Sequence, residues 1–236
     1  MKKIIFAHQG KCGGSTLVAA LRNSYGPENV YNDTDQNERW AKHKIVRFFD
    51  ERLEDRRMYK ERASYKVIYG HFAPQKYRRA FPEALYITLF RNPIQQLVSL
   101  YYYWLRSPVS GNLHPNRRIL LEQKLSLTEF AELIAQPRRI RKIVSDFRLE
   151  YFHFAGITEA YNSSLELLKK KYLPGLTFEV DPCNTNPTKK IDECYELDHE
   201  TFEHIGCLVA PRLRLYADAV ERFRNECLQE KIDCTI

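Results

Sequence analysis

At 236 residues the chain is long enough to bury a substantial core and short enough to be one domain spanning 1–236. Its 44% hydrophobic and 13% aromatic content excludes a disordered chain, and no apolar run reaches the length of a membrane span, about 18 residues. A net charge of +7 favours anionic ligands: a phosphorylated cofactor, an acidic glycan or nucleic acid, although no recognised nucleic-acid motif is present.

The first predicted strand, Lys3–Ala7, runs into His8-Gln-Gly-Lys-Cys-Gly-Gly-Ser-Thr-Leu17 and then a helix over Ser15–Ser24. Strand, glycine-rich turn and helix in that order make a phosphate cradle. Gly13 and Gly14 let the backbone approach an anion, and the amides of Gly14, Ser15 and Thr16 open the helix towards it. Lys11 adds a full charge as a point donor. The spacing is not that of a Walker loop, whose lysine follows the last glycine and precedes Ser or Thr.

Asp33–Arg62 is highly charged and helical in flavour, and is expected at the rim of the site or outside the sheet. Lys66–Tyr69 reads as a second strand, followed by Gly70 and His71, and Leu85–Phe90 as a third, followed by Arg91-Asn-Pro93. An arginine at that strand end repels a metal ion and attracts a second phosphate. Helices are predicted over Ile94–Arg106, Leu127–Ala135, Glu159–Tyr172 and Arg212–Glu230, with further strands over Tyr151–Gly156 and Leu176–Val180. Ser107–Pro115 and Asp181–Pro187 read as loops. Strands rich in Ile, Val, Phe and Tyr that alternate with helices predict a three-layer, doubly wound α/β fold with a central parallel sheet. Ligands of such sheets bind beyond the carboxyl ends of the strands, so Lys11, His71 and Arg91 are expected at one edge.

The cysteines at 12, 183, 194, 207, 227 and 234 form no C-x-x-C pair, which argues against zinc and redox motifs. Free thiols are expected in a reducing compartment, and Cys183–Cys194 or Cys227–Cys234 pairs in an oxidising one. The apolar stretch behind Lys2 and Lys3 is too short for a signal peptide and runs into the turn, so a cytoplasmic enzyme is expected.

Two segments together resemble the sulfotransferases that use 3'-phosphoadenosine 5'-phosphosulfate (PAPS). The turn from His8 to Leu17 is similar to the family's 5'-phosphosulfate loop, and Phe90-Arg-Asn-Pro-Ile-Gln-Gln-Leu-Val-Ser99 to its 3'-phosphate segment. Phe154-Ala-Gly-Ile-Thr-Glu-Ala-Tyr-Asn-Ser-Ser-Leu165 resembles a strand–helix join of the heparan-sulfate 2-O-sulfotransferase-like branch, and Asn184-Thr-Asn-Pro-Thr-Lys-Lys190 a late loop that covers the cofactor. Cys12 departs from the threonine or serine common in the family, which removes one hydroxyl donor and leaves the backbone cradle.

The resemblance implies metal-free transfer of a sulfuryl group from PAPS to a hydroxyl, with a glycan as the expected acceptor and PAP as product. Lys11 would meet the leaving group, while Cys12, Gly13, Gly14, Ser15 and Thr16 hold the 5'-phosphate. Arg91 and Ser99 would hold the 3'-phosphate, with Asn186, Lys189 and Lys190 closing over the nucleotide. His71 would be the general base, since imidazole titrates at about 6.5; His8 is its competitor. Tyr101, Tyr102, Tyr103 and Trp104 suggest sugar stacking, although core packing is expected for at least two of them. The cluster of Arg138, Arg139, Arg141 and Lys142 reads as a solvated helix face. A P-loop small-molecule kinase and a non-catalytic polyanion binder stay open as alternatives.

Overall fold

The structure, a computed structural model, describes residues 2–33, 57, 59–109, 113–177 and 194–234. Strands β1 (Ile4–Ala7), β2 (Val30–Asn32), β3 (Val67–Gly70), β4 (Leu85–Phe90) and β5 (Phe154–Ile157) form one sheet in the order β2-β3-β1-β4-β5. Every pairing is parallel, with Ile4 opposite both Val67 and Leu85. All five strand exits therefore share one edge, where Asp33, His71, His8, Arg91 and Thr158 begin the connecting segments.

Alternation along β1 explains why its residues are apolar without interruption. Ile4 and Phe6 join a core with Leu17, Leu21, Leu85, Ile87, Leu89, Phe154 and Phe223. Ile5 and Ala7 face the opposite core with Ile68, Tyr77, Phe81 and Tyr86. Both faces are thus covered, the arrangement that an all-parallel sheet requires. The doubly wound α/β expectation holds.

Helix α1 (Gly14–Tyr25) buries Leu17 and Leu21 on the first core and ends at Gly26, whose N–H returns to the Arg22 carbonyl. Helix α2 (Gln75–Arg78) inserts Tyr77 into the second core. Helix α3 (Pro93–Arg106) starts where Asn92 accepts the Ile94 amide at 3.0 Å, with Pro93 in the first turn. Helices α4 (Pro115–Gln123), α5 (Leu127–Ile134) and α6 (Pro137–Asp146) follow, α5 being opened by a Ser126–Glu129 capping box. Helix α7 (Tyr161–Leu167) runs into a wider turn, Leu168–Tyr172. The last helix, α8 (His199–Glu230), crosses between two cores. Ile205 and Val209 pack with Ile94, Leu97, Val98 and Phe130, while Ala219, Phe223 and Cys227 pack on the sheet.

Several expectations are corrected. The strand that pairs beyond β3 is Val30–Asn32, which three residues give no period to announce. Leu176 and Thr177 are not strand, and residues 178–180 lie outside the described set. β5 starts at Phe154 because Leu149–Tyr151 forms a tight helical turn. α8 continues through Pro211 instead of starting after it, α2 and α4 were not anticipated, and α6 gives the helix face read at residues 138–142 its bounds. Asn186, Lys189, Lys190 and Cys183 lie outside the described residues; Cys227 and Cys234 are free thiols. Tyr101 and Trp104 pack against Phe130, as expected for two of the four aromatics, whereas Tyr102 and Tyr103 are exposed. Arg138, Arg139, Arg141 and Lys142 lie exposed on α6. Among the described residues no helix is long and apolar enough to cross a membrane.

Candidate active site

The turn after β1 places Lys11 at φ 65° and Gly13 at φ 72°, both left-handed. Left-handed residues set between ordinary ones fold successive N–H groups into an anion-binding concavity. A lysine in that conformation costs about 1–2 kcal/mol, so the surroundings must hold it there. Arg91 does so, its Nη1 donating to the Lys11 carbonyl at 3.0 Å. The neighbouring carbonyls are held likewise. Gln96 Nε2 donates to the Gly10 carbonyl at 2.6 Å, and the Tyr161 hydroxyl to the Gly13 carbonyl at 2.8 Å. A trans peptide points its N–H opposite to its C=O. Pinning these carbonyls from the flank therefore turns the amides of Lys11, Cys12 and Gly14 the other way. Among the described residues the amides of Lys11 and Gly13 donate to no protein acceptor. α1 adds its own open N-terminus, for Gly13 supplies no side-chain cap.

Gly14 is required by what sits on it. A Cβ there would lie 2.1 Å from the His8 ring. The His8 ring in turn stacks at 4.7 Å from the ring of His71. Its Nδ1 is sealed from solvent without a hydrogen-bond partner, and desolvation, aided by His71 and Lys11, pushes its pKa down to about 3. His8 is a neutral structural ring.

His71 is exposed, and its Nδ1 lies 2.8 Å from the His8 carbonyl. A carbonyl only accepts, so Nδ1 carries the proton and Nε2 is the basic nitrogen of the neutral ring.

Four cations gather around the turn. Lys11 Nζ lies 4.1 Å above the Tyr103 ring, and Arg106 approaches the same ring at 6.0 Å. Desolvation, then Arg106 and Arg91, bring the Lys11 pKa down to about 8. Arg212, reaching in from α8, donates to Gln96 Oε1. None of Lys11, Arg91, Arg106 and Arg212 forms an ion pair with a carboxylate among the described residues. Cys12 is 1% exposed, its thiol beneath the turn beside Gln96 Nε2 at 3.3 Å, and burial pushes its pKa up to about 12. It is an inert buried thiol, and the backbone is what this residue offers to a ligand.

The structure brings Lys11, Gly13, Gly14, Ser15, Thr16, His71 and Arg91 to the same sheet edge. Ser15 is exposed in the first turn of α1, whereas Thr16 is buried. Ser99 lies two turns into α3 at 5% exposure.

The side chains that hold the turn escaped the sequence reading. Tyr161 lies in a stretch that the resemblance had already marked, and so does Glu159. The Glu159 carboxylate accepts from the Asn92 amide at 2.9 Å and from the Tyr216 hydroxyl at 2.9 Å, fixing the segment that carries Arg91. Gln96 likewise lies in the marked segment from Phe90 to Ser99, whereas Arg212 carried no local signal.

No protein-family model matches the sequence, and comparison with curated proteins finds no match. Among solved structures the chain is similar to a sulfotransferase from Alicyclobacillus acidocaldarius, at 16% identity and TM-score 0.47, covering 95% of this chain and 99% of that one. It is also similar to mouse sulfotransferase SULT7A1 complexed with PAP, at 12% identity and TM-score 0.43, covering 76% of this chain and 60% of that one.

Proposed function

We propose that the chain is a sulfotransferase that takes PAPS as donor and a hydroxyl, foremost that of a carbohydrate, as acceptor. The observation that carries this reading is the turn itself: carbonyls pinned outward and, among the described residues, the Lys11 and Gly13 amides without an acceptor and the surrounding cations without a carboxylate. Such a site is organised for a multiply charged anion before one arrives, which is how electrostatic catalysis avoids reorganisation during the reaction.

PAPS would supply an activated sulfuryl group. The amides of Cys12, Gly13, Gly14, Ser15 and Thr16 hold the 5'-phosphate. Lys11 keeps a positive charge where negative charge collects on the leaving side. Arg91 and Ser99 hold the 3'-phosphate, the arginine by its fork of donors. Asn186, Lys189 and Lys190 belong to the same proposal as the covering loop. His71 takes the acceptor hydroxyl's proton on Nε2 while its Nδ1–H stays bonded to the His8 carbonyl.

Binding and turnover test these roles separately. Titration calorimetry is expected to register PAP binding, with ATP and magnesium far weaker. Labelled sulfate from PAPS should reach a hydroxyl acceptor in a screen of glycans and small alcohols. His71→Ala should lower turnover about 100-fold to 10,000-fold and keep PAP affinity. Absence of PAP binding by the wild-type chain would sink the proposal. An active His71→Ala variant would remove the base assignment alone.

A further inference from the structure

Arg212 meets no carboxylate among the described residues and reaches the turn only through Gln96. It comes from α8, far along the chain from the turn, and its Nη2 donates to Gln96 Oε1. Gln96 passes the contact on, through Nε2, to the Gly10 carbonyl and the Cys12 sulfur. The guanidinium is desolvated, and that desolvation leads the causes that bring its pKa down to about 10. The neighbouring Arg139 opposes its charge as well. A desolvated charge with a neutral amide for company is a cost to the fold, because one amide oxygen does not replace a counter-ion.

Other half-buried cations of the chain are compensated, either by several backbone carbonyls, as Lys3 and Arg117 are, or by a carboxylate. Arg62 and Lys76 both meet the buried Asp33 carboxylate, and Arg222 and Lys171 both meet Glu226. Among the described residues Arg212 has neither, only the Gln96 amide, and that amide also touches the turn.

We infer that Arg212 is a positioning residue whose counter-ion is the anion bound at the turn. This rests on the reading of the turn as an anion site. The ligand-free chain holds the guanidinium uncompensated behind Gln96. A filled turn relieves it, so ligand binding and the seating of α8 are coupled. The same residue must then act with opposite sign on two measurements: its charge weakens the ligand-free fold and strengthens the anion complex.

The experiment uses the full chain, with inorganic pyrophosphate and PAP as probes, read by calorimetry and thermal unfolding. Arg212→Met should weaken both probes about tenfold or more, as loss of one charge near the ligand predicts. It should leave the ligand-free unfolding temperature unchanged or raised. Arg212→Lys should recover most of the affinity. Gln96→Glu gives Arg212 a permanent carboxylate, and should raise the ligand-free unfolding temperature while abolishing pyrophosphate binding. The Gln96→Leu/Arg212→Met double variant should bind no more weakly than the worse single one, because the two act in series.

A lowered unfolding temperature with unchanged affinity in Arg212→Met would overturn the inference and make the arginine structural. Gln96→Glu binding pyrophosphate like the wild type would overturn it as well, and covers the case in which Arg212→Met fails to fold. In either case a wild type that binds PAP leaves the functional reading standing. A wild type that binds neither probe overturns both.

Discussion

Beyond β2 and β3, Lys76 and Arg62 lean on Asp33, which is 0% exposed and also receives the Tyr77 hydroxyl at 2.9 Å. Beyond β1 and β4, at the same sheet edge, Lys11, Arg91 and Arg212 lean on carbonyls, an aromatic face and an amide. The first group is closed: its charges are balanced inside the chain, and it ties the strand exits together. The second group is open: among the described residues no carboxylate balances it. If a bound anion supplies that balance, as proposed above, the ligand-free fold gives up some stability for the site.

Removing the inner counter-ion should have the largest effect on stability. Asp33→Ala strands two cations, and the expected loss is about 3–5 kcal/mol, measured by urea unfolding. The contrast is Arg91→Met, which should cost far less stability yet weaken PAP by more than Asp33→Ala does. Equal stability losses in the two variants would erase the distinction between the closed and the open group.

Gly14 gives a smaller, sharper test. A β-carbon there meets the His8 ring, and overpacking of this kind costs about 1–3 kcal/mol. Gly14→Ala should therefore lose stability and PAP affinity together, and His8→Ala placed on top should restore most of both. Failure of the second change to rescue the first would show that making room for the ring is not what requires glycine there.

The smallest effect is the pH dependence of the open group. Lys11 is cationic below about 8, and a bound anion holds its proton more tightly. Affinity for sulfate, whose charge is constant over this range, should be highest below about 8 and decline above it, at most tenfold per pH unit. The sign on stability is the reverse. The folded pKa lies below the ordinary lysine value of 10.5, so the unfolded chain binds more protons between the two. This residue's contribution to the ligand-free fold therefore rises with pH across that window. A Lys11→Met variant should lose this residue's share of both dependences.

What was legible lay close together in the chain. The turn from His8 to Thr16, the Arg91-Asn92-Pro93 strand exit and the Gly70-His71 exit each carry their chemistry in a few consecutive residues, and each stands at the end of a strand with an unmistakable apolar run. The misses have physical causes. Val30-Tyr31-Asn32 is too short to show a period and owes its strand state to β3. The predicted helix begins at Arg212, just after Pro211, whose ring removes one backbone donor. The packing of Ile205 and Val209 before it, and of Ala219 and Phe223 after it, outweighs that loss. In α6 the arginines concealed Ile140, whose burial holds the helix down.

By itself the sequence determined a parallel sheet buried on both faces, a glycine-rich turn at its first strand end, and a set of cations and a histidine at the exits, because uninterrupted apolar runs, glycine content and the residues at strand ends are local properties. Only the tertiary structure decided which side chains hold that turn and which charges go without a partner. Gln96 reaches the turn across 86 residues, Tyr161 across 148, and Arg212 reaches Gln96 across 116. Contacts of that span are made by packing helices onto a sheet, and no window of sequence contains both ends. Whether a charge is compensated is a property of the space around it, which exists only once the chain has folded.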